Sequence, residues 1–330
     1  MNVFVTGGTG YIGRHLISLL LENGDTVHAL CRSPFRITLR GPGRLVAHAG
    51  DLTDISSLRE GMRRCTQVYH LAGYARNWAR NPDTYSLINV GGTRNILRAA
   101  KDSGVQRVVL TSSVLTIGFS NGRPATEADA NGMPLPTLYA ESKRSAEREA
   151  LAFVRNGFEV VIVNPTRVYG PGIMSEGNSV TRMIKLHLAG RWPLILGDGS
   201  MIGNYAHVRD VARGHLLAMR RGRSGERYIL GGENVSFAEL FRMIQHAGHV
   251  IRRLVHVPGS VVLSFSAMDE LRARYISGYP TLTPGWVRTF LQNGAYSNAK
   301  AKREIGYTIT PLSRGLRETV DWLRNGEEEL

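Results

Sequence analysis

The run Thr6-Gly7-Gly8-Thr9-Gly10-Tyr11-Ile12-Gly13 decides the fold of this chain. It follows directly on Asn2-Val3-Phe4-Val5, a β-branched and aromatic strand pattern, and leads into an amphipathic helical pattern over residues 12–22. Glycines stand at 7, 10 and 13. In a strand-to-helix turn the first permits the tight turn, the second lets the backbone approach a pyrophosphate, and the third lets helix and strand pack closely. The helix N-terminus then offers unpaired N–H groups to phosphate oxygens. Gly7, Thr9, Gly10, Tyr11, Ile12 and Gly13 are therefore predicted to cradle a dinucleotide.

Outward from that loop the same unit recurs. Strand patterns fall at 26–31, 45–49, 67–71, 107–111 and 159–163, with helical patterns at 54–64, 82–103 and 137–155. Apolar strands separated by helices predict a parallel sheet covered on both faces, a doubly wound α/β domain. Beyond Gly170, glycine, proline and serine punctuate shorter elements, with helical patterns at 180–189, 208–221, 237–247 and 312–324. The expected organisation is a nucleotide-binding domain over 1–165, to which 204–232 returns. Residues 166–203 and 233–330 then form a smaller α/β lobe on the substrate side of a cleft.

The end of strand two bears on which dinucleotide is bound. An acidic residue there binds the ribose 2′-OH of NAD, whereas an arginine accommodates the 2′-phosphate of NADP. The run Ala29-Leu30-Cys31-Arg32-Ser33-Pro34-Phe35-Arg36 holds no acid. Arg32 is the bidentate phosphate ligand expected, with Arg36 in support. NADP(H) is favoured, NAD(H) is the alternative, and the plain reading is a solvated basic loop.

Chemistry is suggested by Tyr139-Ala140-Glu141-Ser142-Lys143, which sets Tyr139 and Lys143 one turn apart on one helix face. A phenol normally titrates near 10, and an adjacent cation favours its phenolate. Thr111-Ser112-Ser113 follows strand five, at the carboxyl edge where open α/β sheets place active sites, so a hydroxyl there is positioned to orient a carbonyl beside Tyr139.

Composition bounds the partners. With 42% apolar and 21% charged residues in 330, the chain is globular rather than disordered or collagen-like. Its net charge of +14 favours association with anions, and says nothing of fold. Two cysteines exclude a disulfide framework and a four-cysteine zinc site. No signal peptide is expected, and the apolar runs at 158–163 and 257–265 are too short to span a membrane, so a cytoplasmic protein is expected. Six arginines between Arg209 and Arg227 lack interleaved aromatics, which predicts a solvated face and no nucleic-acid partner. His207 and His215 are read as structural, with no metal. The apolar run 257–268 is read as core, or as the lining of a pocket for a hydrophobic substrate.

Taken together, these motifs resemble the extended short-chain dehydrogenase/reductase family, with its epimerase/dehydratase members, over nearly the whole chain. Thr6–Gly13 is similar to its TGxxGxxG loop and Tyr139–Lys143 to its YxxxK motif. The resemblance implies a Rossmann fold and a set of nucleotide contacts. Asp51 and Leu52 match the segment beside the adenine, and His70-Leu71-Ala72-Gly73 the turn covering the cofactor. Asn89 stands in an NVxGT-like helix, and Pro165, Thr166 and Val168 in a later block, with Ser112 as a nearby support. It further implies that Tyr139 is the acid/base, that Lys143 lowers its pKa and holds the nicotinamide ribose, and that Ser113 positions the reacting oxygen. Tyr74, Arg76, Arg167, Tyr169 and Met174 are candidate substrate contacts. A homodimer through the helices at 82–103 and 137–155 is expected, because their outer faces would otherwise expose apolar stripes.

Two branches of the family compete. Nucleotide-sugar epimerases must hold a diphosphate, and many carry an arginine just before the aromatic-x-His-Val block. Here that place is Gly203-Asn204, while Arg167 stands before the Val-Tyr-Gly turn. The absent clamp favours NADP(H)-linked carbonyl reduction of the dihydroflavonol 4-reductase and 3β-hydroxysteroid dehydrogenase kind. Against it, Gly225–Asn234 resembles hopanoid-associated sugar epimerases, so an epimerase using bound NAD is the alternative. A non-enzymatic NADP sensor or RNA-binding relative is more remote, since Ser113, Tyr139 and Lys143 are all present.

Overall fold

The computed structural model describes residues 1–33, 41–130, 135–276 and 278–326. The first half runs β1 (Asn2–Thr6), α1 (Tyr11–Glu22), β2 (Thr26–Cys31), β3 (Arg44–Ala49), α2 (Ile55–Gly61), β4 (Gln67–His70), α3 (Asp83–Tyr85), α4 (Gly92–Asp102), β5 (Arg107–Thr111), α5 (Leu138–Arg155) and β6 (Glu159–Pro165). The second half runs β7 (Arg167–Tyr169), α6 (Ser179–Leu188), β8 (Leu194–Leu196), β9 (Ile202–His207), α7 (Val208–Arg221), β10 (Arg227–Leu230), β11 (Glu233–Ser236), α8 (Phe237–Gly248), β12 (Val255–Val257), α9 (Gly259–Tyr275), α10 (Pro284–Phe290), α11 (Ala299–Ile305) and α12 (Leu312–Arg324).

Seven strands form one parallel sheet in the order β10-β6-β5-β4-β1-β2-β3. Alternate residues of each strand face opposite layers, so apolar side chains on both sides require cover on both sides. Leu16, Ile17 and Leu20 of α1 pack with Val211 and Ala212 of α7 on one face. Leu58, Ile96, Leu97 and Ala150, from α2, α4 and α5, cover the other. Each leucine, isoleucine or valine among them contributes about 2 kcal/mol when fully buried. Helix α7 and strand β10 thus lie on the large sheet, although they come after β7. Strand β3 is half exposed, because it is an edge.

The remaining residues build a second layer beside the carboxyl ends of these strands. A three-stranded sheet β11-β9-β7 and the parallel pair β12-β8 pack with α6, α8, α10 and α12 around Phe237, Phe241, Ile184, Leu316 and Phe290. Helix α9 corrects the sequence reading. The run 257–268 is core on one side only: Val262 is buried, with Val257 and Leu263 packed against the same core, but Val261, Phe265 and Met268 face outward. The outer faces of α4 and α5 also differ from expectation. They carry an Arg94–Glu149 ion pair at 2.6 Å, and on the segments 82–103 and 137–155 only Leu87 and Leu138 are exposed large apolar residues among those described.

Candidate functional site

Strands β1 and β4 are neighbours whose chains continue to opposite sides of the sheet order, so a crevice opens at their carboxyl ends. Gly7 there takes a φ of +73°, and a Cβ on it would fall 2.6 Å from the Ala72 nitrogen. A Cβ on Gly13 would lie 2.1 Å from the Gly7 oxygen, so only glycine lets α1 approach the loop this closely. Gly10 caps α1 with no side-chain bond, which leaves first-turn N–H groups for an anion. The groove enclosed holds about 390 Å³. Gly7, Thr9, Gly10, Tyr11, Ile12 and Gly13 line it, with Cys31, Arg32, Asp51 and Leu52 along one wall and Leu71, Ala72, Gly73 and Tyr74 along the other. Arg32 is exposed at this wall. Arg36 lies outside the described residues. Bonds from the Thr53 backbone and hydroxyl hold the Asp51 carboxyl below the usual range, and the Arg32 charge adds to them.

The groove continues past Ile12, Leu71, Gly73 and Thr111 into a cavity of about 270 Å³. Ser112, Ser113, Tyr139 and Lys143 line it together with Pro165, Thr166, Arg167 and Val168. Tyr139 reaches it because Thr137 caps α5, accepting the Ala140 N–H at 3.1 Å, so the tyrosine sits in the first turn. Ser113 begins the short turn Val114–Thr116, where its hydroxyl accepts the Leu115 N–H at 3.2 Å. The same hydroxyl lies close enough to the Tyr139 phenol to act on its pKa, and both side chains line the cavity. Lys143 is buried, and its ammonium donates to the Thr111 carbonyl at 2.9 Å.

Burial pushes the Tyr139 phenol up to about 12, opposed by the Ser113 side chain. Burial also brings Lys143 down to about 8, with the Glu147 carboxylate acting against it. Two buried hydroxyls in this cavity, Ser112 Oγ and Thr166 Oγ1, have no protein partner. Buried polar groups are rarely left so, and these two suit the polar end of a bound nucleotide.

Not every expected contact reaches the cleft. Asn89 is buried and lines neither space, its Oδ1 lying behind Gly73. Its Oδ1 accepts the Tyr74 N–H at 2.7 Å while its Nδ2 donates to Ser142 Oγ at 2.9 Å, so it ties the covering loop to α5. Tyr169 is buried edge-on against His207, at 5.6 Å between ring centroids, and its hydroxyl abuts Gly315 of α12. Met174 lines neither space. Arg76 points outward, its guanidinium over the Tyr279 ring at 5.4 Å. Arg167 does line the cavity. Its Nη2 donates to the Thr289 carbonyl at 2.9 Å and its guanidinium lies 4.0 Å over the Phe290 ring. A Cβ on Gly203 would come within 2.2 Å of Arg167 Nη1. The missing arginine at 203 is thus matched by a guanidinium that arrives from the neighbouring strand, so this wall does hold a cation.

Sequence reading gave no role to the side chains behind the site, although His70 stood in the turn matched to the cofactor cover. The neutral His70 imidazole, lowered to about 3 by burial and by Lys143, bridges Thr6 Oγ1 at 2.7 Å and Thr93 Oγ1 at 3.1 Å. Glu147, buried one turn beyond Lys143, accepts from Thr116 Oγ1 at 2.8 Å and Asn164 Nδ2 at 2.9 Å and pairs with Arg227 at 2.8 Å. Asn164 Nδ2 also donates to the Ser113 carbonyl at 3.1 Å, fixing the strand end that presents the serine. A buried acid one turn past Lys143 on the YxxxK helix was the available signal.

Among the described residues no group of three His, Cys, Asp or Glu is placed to hold a metal, and no helix is long and apolar enough to cross a membrane. Residues 3–231 match the sequence model described as "NAD dependent epimerase/dehydratase family". The chain belongs to that family. It is 33% identical to a Synechocystis sp. (strain ATCC 27184 / PCC 6803 / Kazusa) protein described as "Putative dihydroflavonol 4-reductase", over 98% of this chain and 94% of that one. Among solved structures, gox2253 superposes with a TM-score of 0.81 at 30% identity, covering 99% of each chain. MoeE5, solved with UDP-glucuronic acid and NAD, gives 0.76 at 28% identity over 98% of this chain and 99% of that one. The chain is accordingly an NAD(P)-dependent enzyme whose family chemistry spans oxidoreductase, epimerase and dehydratase reactions.

Proposed function

We propose that this enzyme uses NADP(H) to reduce a carbonyl to a secondary alcohol, or runs the reverse oxidation. The observation that carries the reading is the convergence of the Ser113 and Tyr139 side chains on the cavity into which the glycine-lined groove runs. The nicotinamide, when bound, supplies or accepts the hydride. Ser113 and Tyr139 donate hydrogen bonds to the substrate oxygen and stabilise the negative charge that develops there. A phenol near 12 is fully protonated at neutral pH and so is competent to deliver its proton to that oxygen. The Lys143 ammonium, fixed by Thr111, stabilises the phenolate left behind and would hold the nicotinamide ribose. Arg32 supports NADP(H) over NAD(H), and the layer from β7 onward supplies the substrate wall. The dimer through α4 and α5 rests on family resemblance.

One observation favours a second reading. Arg167, placed against Gly203, has no carboxylate partner among the described residues, and a diphosphate would suit it, as in an epimerase acting on nucleotide sugars with bound NAD. The two readings separate in one assay. NADPH consumption is followed against ketones, aldehydes and UDP-sugars, with product analysis. Carbonyl reduction requires one alcohol formed per nucleotide oxidised; a sugar interconverted with no net nucleotide change would overturn it.

A further inference from the structure

Helix α9 carries its large apolar side chains on the face turned to solvent. Val262, Ser266 and Ala273 are buried and fix the packed side. Val261, Phe265, Met268, Leu271 and Tyr275 recur at helical spacing on the opposite side and are 55–78% exposed. A surface helix ordinarily shows the reverse pattern, and a contiguous apolar patch on a folded protein marks an interaction surface. Past the helix, Tyr279 stacks edge-on against Trp78 at 5.5 Å. Trp78 belongs to the loop whose Ala75 and Asn77 line the substrate cavity, so the apolar face ends at the cavity's rim.

We propose that this face docks on the surface of an anionic phospholipid bilayer, with α9 lying in the plane of the headgroups and the cavity rim beside it. Charge selects this occupant over a second copy of the chain. The outer face holds no acid, because Asp269 and Glu270 are partly buried and pair with Arg272 and Arg274. Ahead of β12, Ile251, Arg252 and Arg253 are exposed together, with Arg252 also donating to the Leu188 carbonyl. The whole chain carries +14. Two copies would bring like charges together across a symmetric contact, whereas anionic headgroups attract them while the acyl boundary takes up the apolar side chains.

The test is co-sedimentation of the full chain with vesicles of phosphatidylcholine alone and of phosphatidylcholine with one quarter phosphatidylglycerol. The wild type is expected to pellet with the anionic vesicles. The Phe265→Ser/Met268→Ser variant, unchanged in charge, is expected to bind about tenfold or more weakly, and Phe265→Leu to bind as the wild type does. NADPH affinity, measured on each variant, should be unaltered and certifies the fold. Equal vesicle binding by wild type and double variant would overturn the proposal, as would no binding to either vesicle. A wild-type dimer that the double variant dissolves, without vesicle binding, would assign the face to contact between copies and overturn it too.

Discussion

Lys143 is the residue whose protonation should govern the pH dependence of turnover. It is held down to about 8, with Glu147 and His70 as its charged or titratable neighbours and the Tyr139 phenol nearby in the cavity. His70 stays neutral and Tyr139 stays protonated through the neutral range. A lowered lysine is charged below its pKa and neutral above it. The kcat/KM for reduction should therefore be flat below about pH 8 and fall about tenfold per unit above it. A profile flat to pH 10 would show that the ammonium is not required. Arg32 has an equally local signature. If the proposed NADP(H) preference holds, Arg32→Ala removes a charge-assisted bond of about 1.5–3 kcal/mol to the 2′-phosphate, so KM for NADPH should rise tenfold or more while that for NADH barely moves. The Tyr139–Lys143 spacing was readable from sequence because both lie on one helix and their separation is local. The place of Asn89 was not, since its partners, Tyr74 and Ser142, are brought to it only by tertiary packing.

At the scale of elements, the closeness of the glycine turn to α1 is the constraint most open to test. Gly13→Ala would put a methyl carbon 2.1 Å from the Gly7 oxygen, so the loop must open. Overpacking of this kind costs about 1–3 kcal/mol, and NADPH affinity measured by fluorescence titration should drop about tenfold. Behind α5, Glu147→Ala would strand Arg227 and unbrace Asn164; urea melts should show a loss of about 3 kcal/mol. The strand-helix alternation of the large sheet was legible because buried parallel strands are apolar throughout and their helices amphipathic. Helix α9 was not, because residues 257–268 are apolar on both sides of the helix and periodicity then points to no single face. Arg167 and Gly203 were read separately. Only the parallel pairing of β7 with β9, which aligns Arg167 with Tyr205, brings the guanidinium over the glycine.

For the whole molecule, the sheet holds the glycine turn on one strand end and the Ser113 turn two strands away, and the β7–β12 layer closes the cavity between α5 and α10. A ligand spanning groove and cavity should tie these parts together. NADPH at a hundredfold over its Kd should stabilise the fold by about 2.7 kcal/mol, raising the melting temperature, and NADH at equal concentration should raise it less. The change to shorter elements after Gly170 was legible in the glycine, proline and serine that punctuate them; that β9 pairs with β7 and β11 in a separate sheet was not, because only tertiary pairing decides it. The central claim is that Tyr139, sharing the cavity with Ser113 and a bound nicotinamide, delivers the proton. The most direct measurement compares Tyr139→Phe with the wild type for single-turnover NADPH oxidation and for NADPH affinity. Turnover should fall at least a hundredfold with affinity unchanged; a phenylalanine variant that turns over at the wild-type rate would contradict the account.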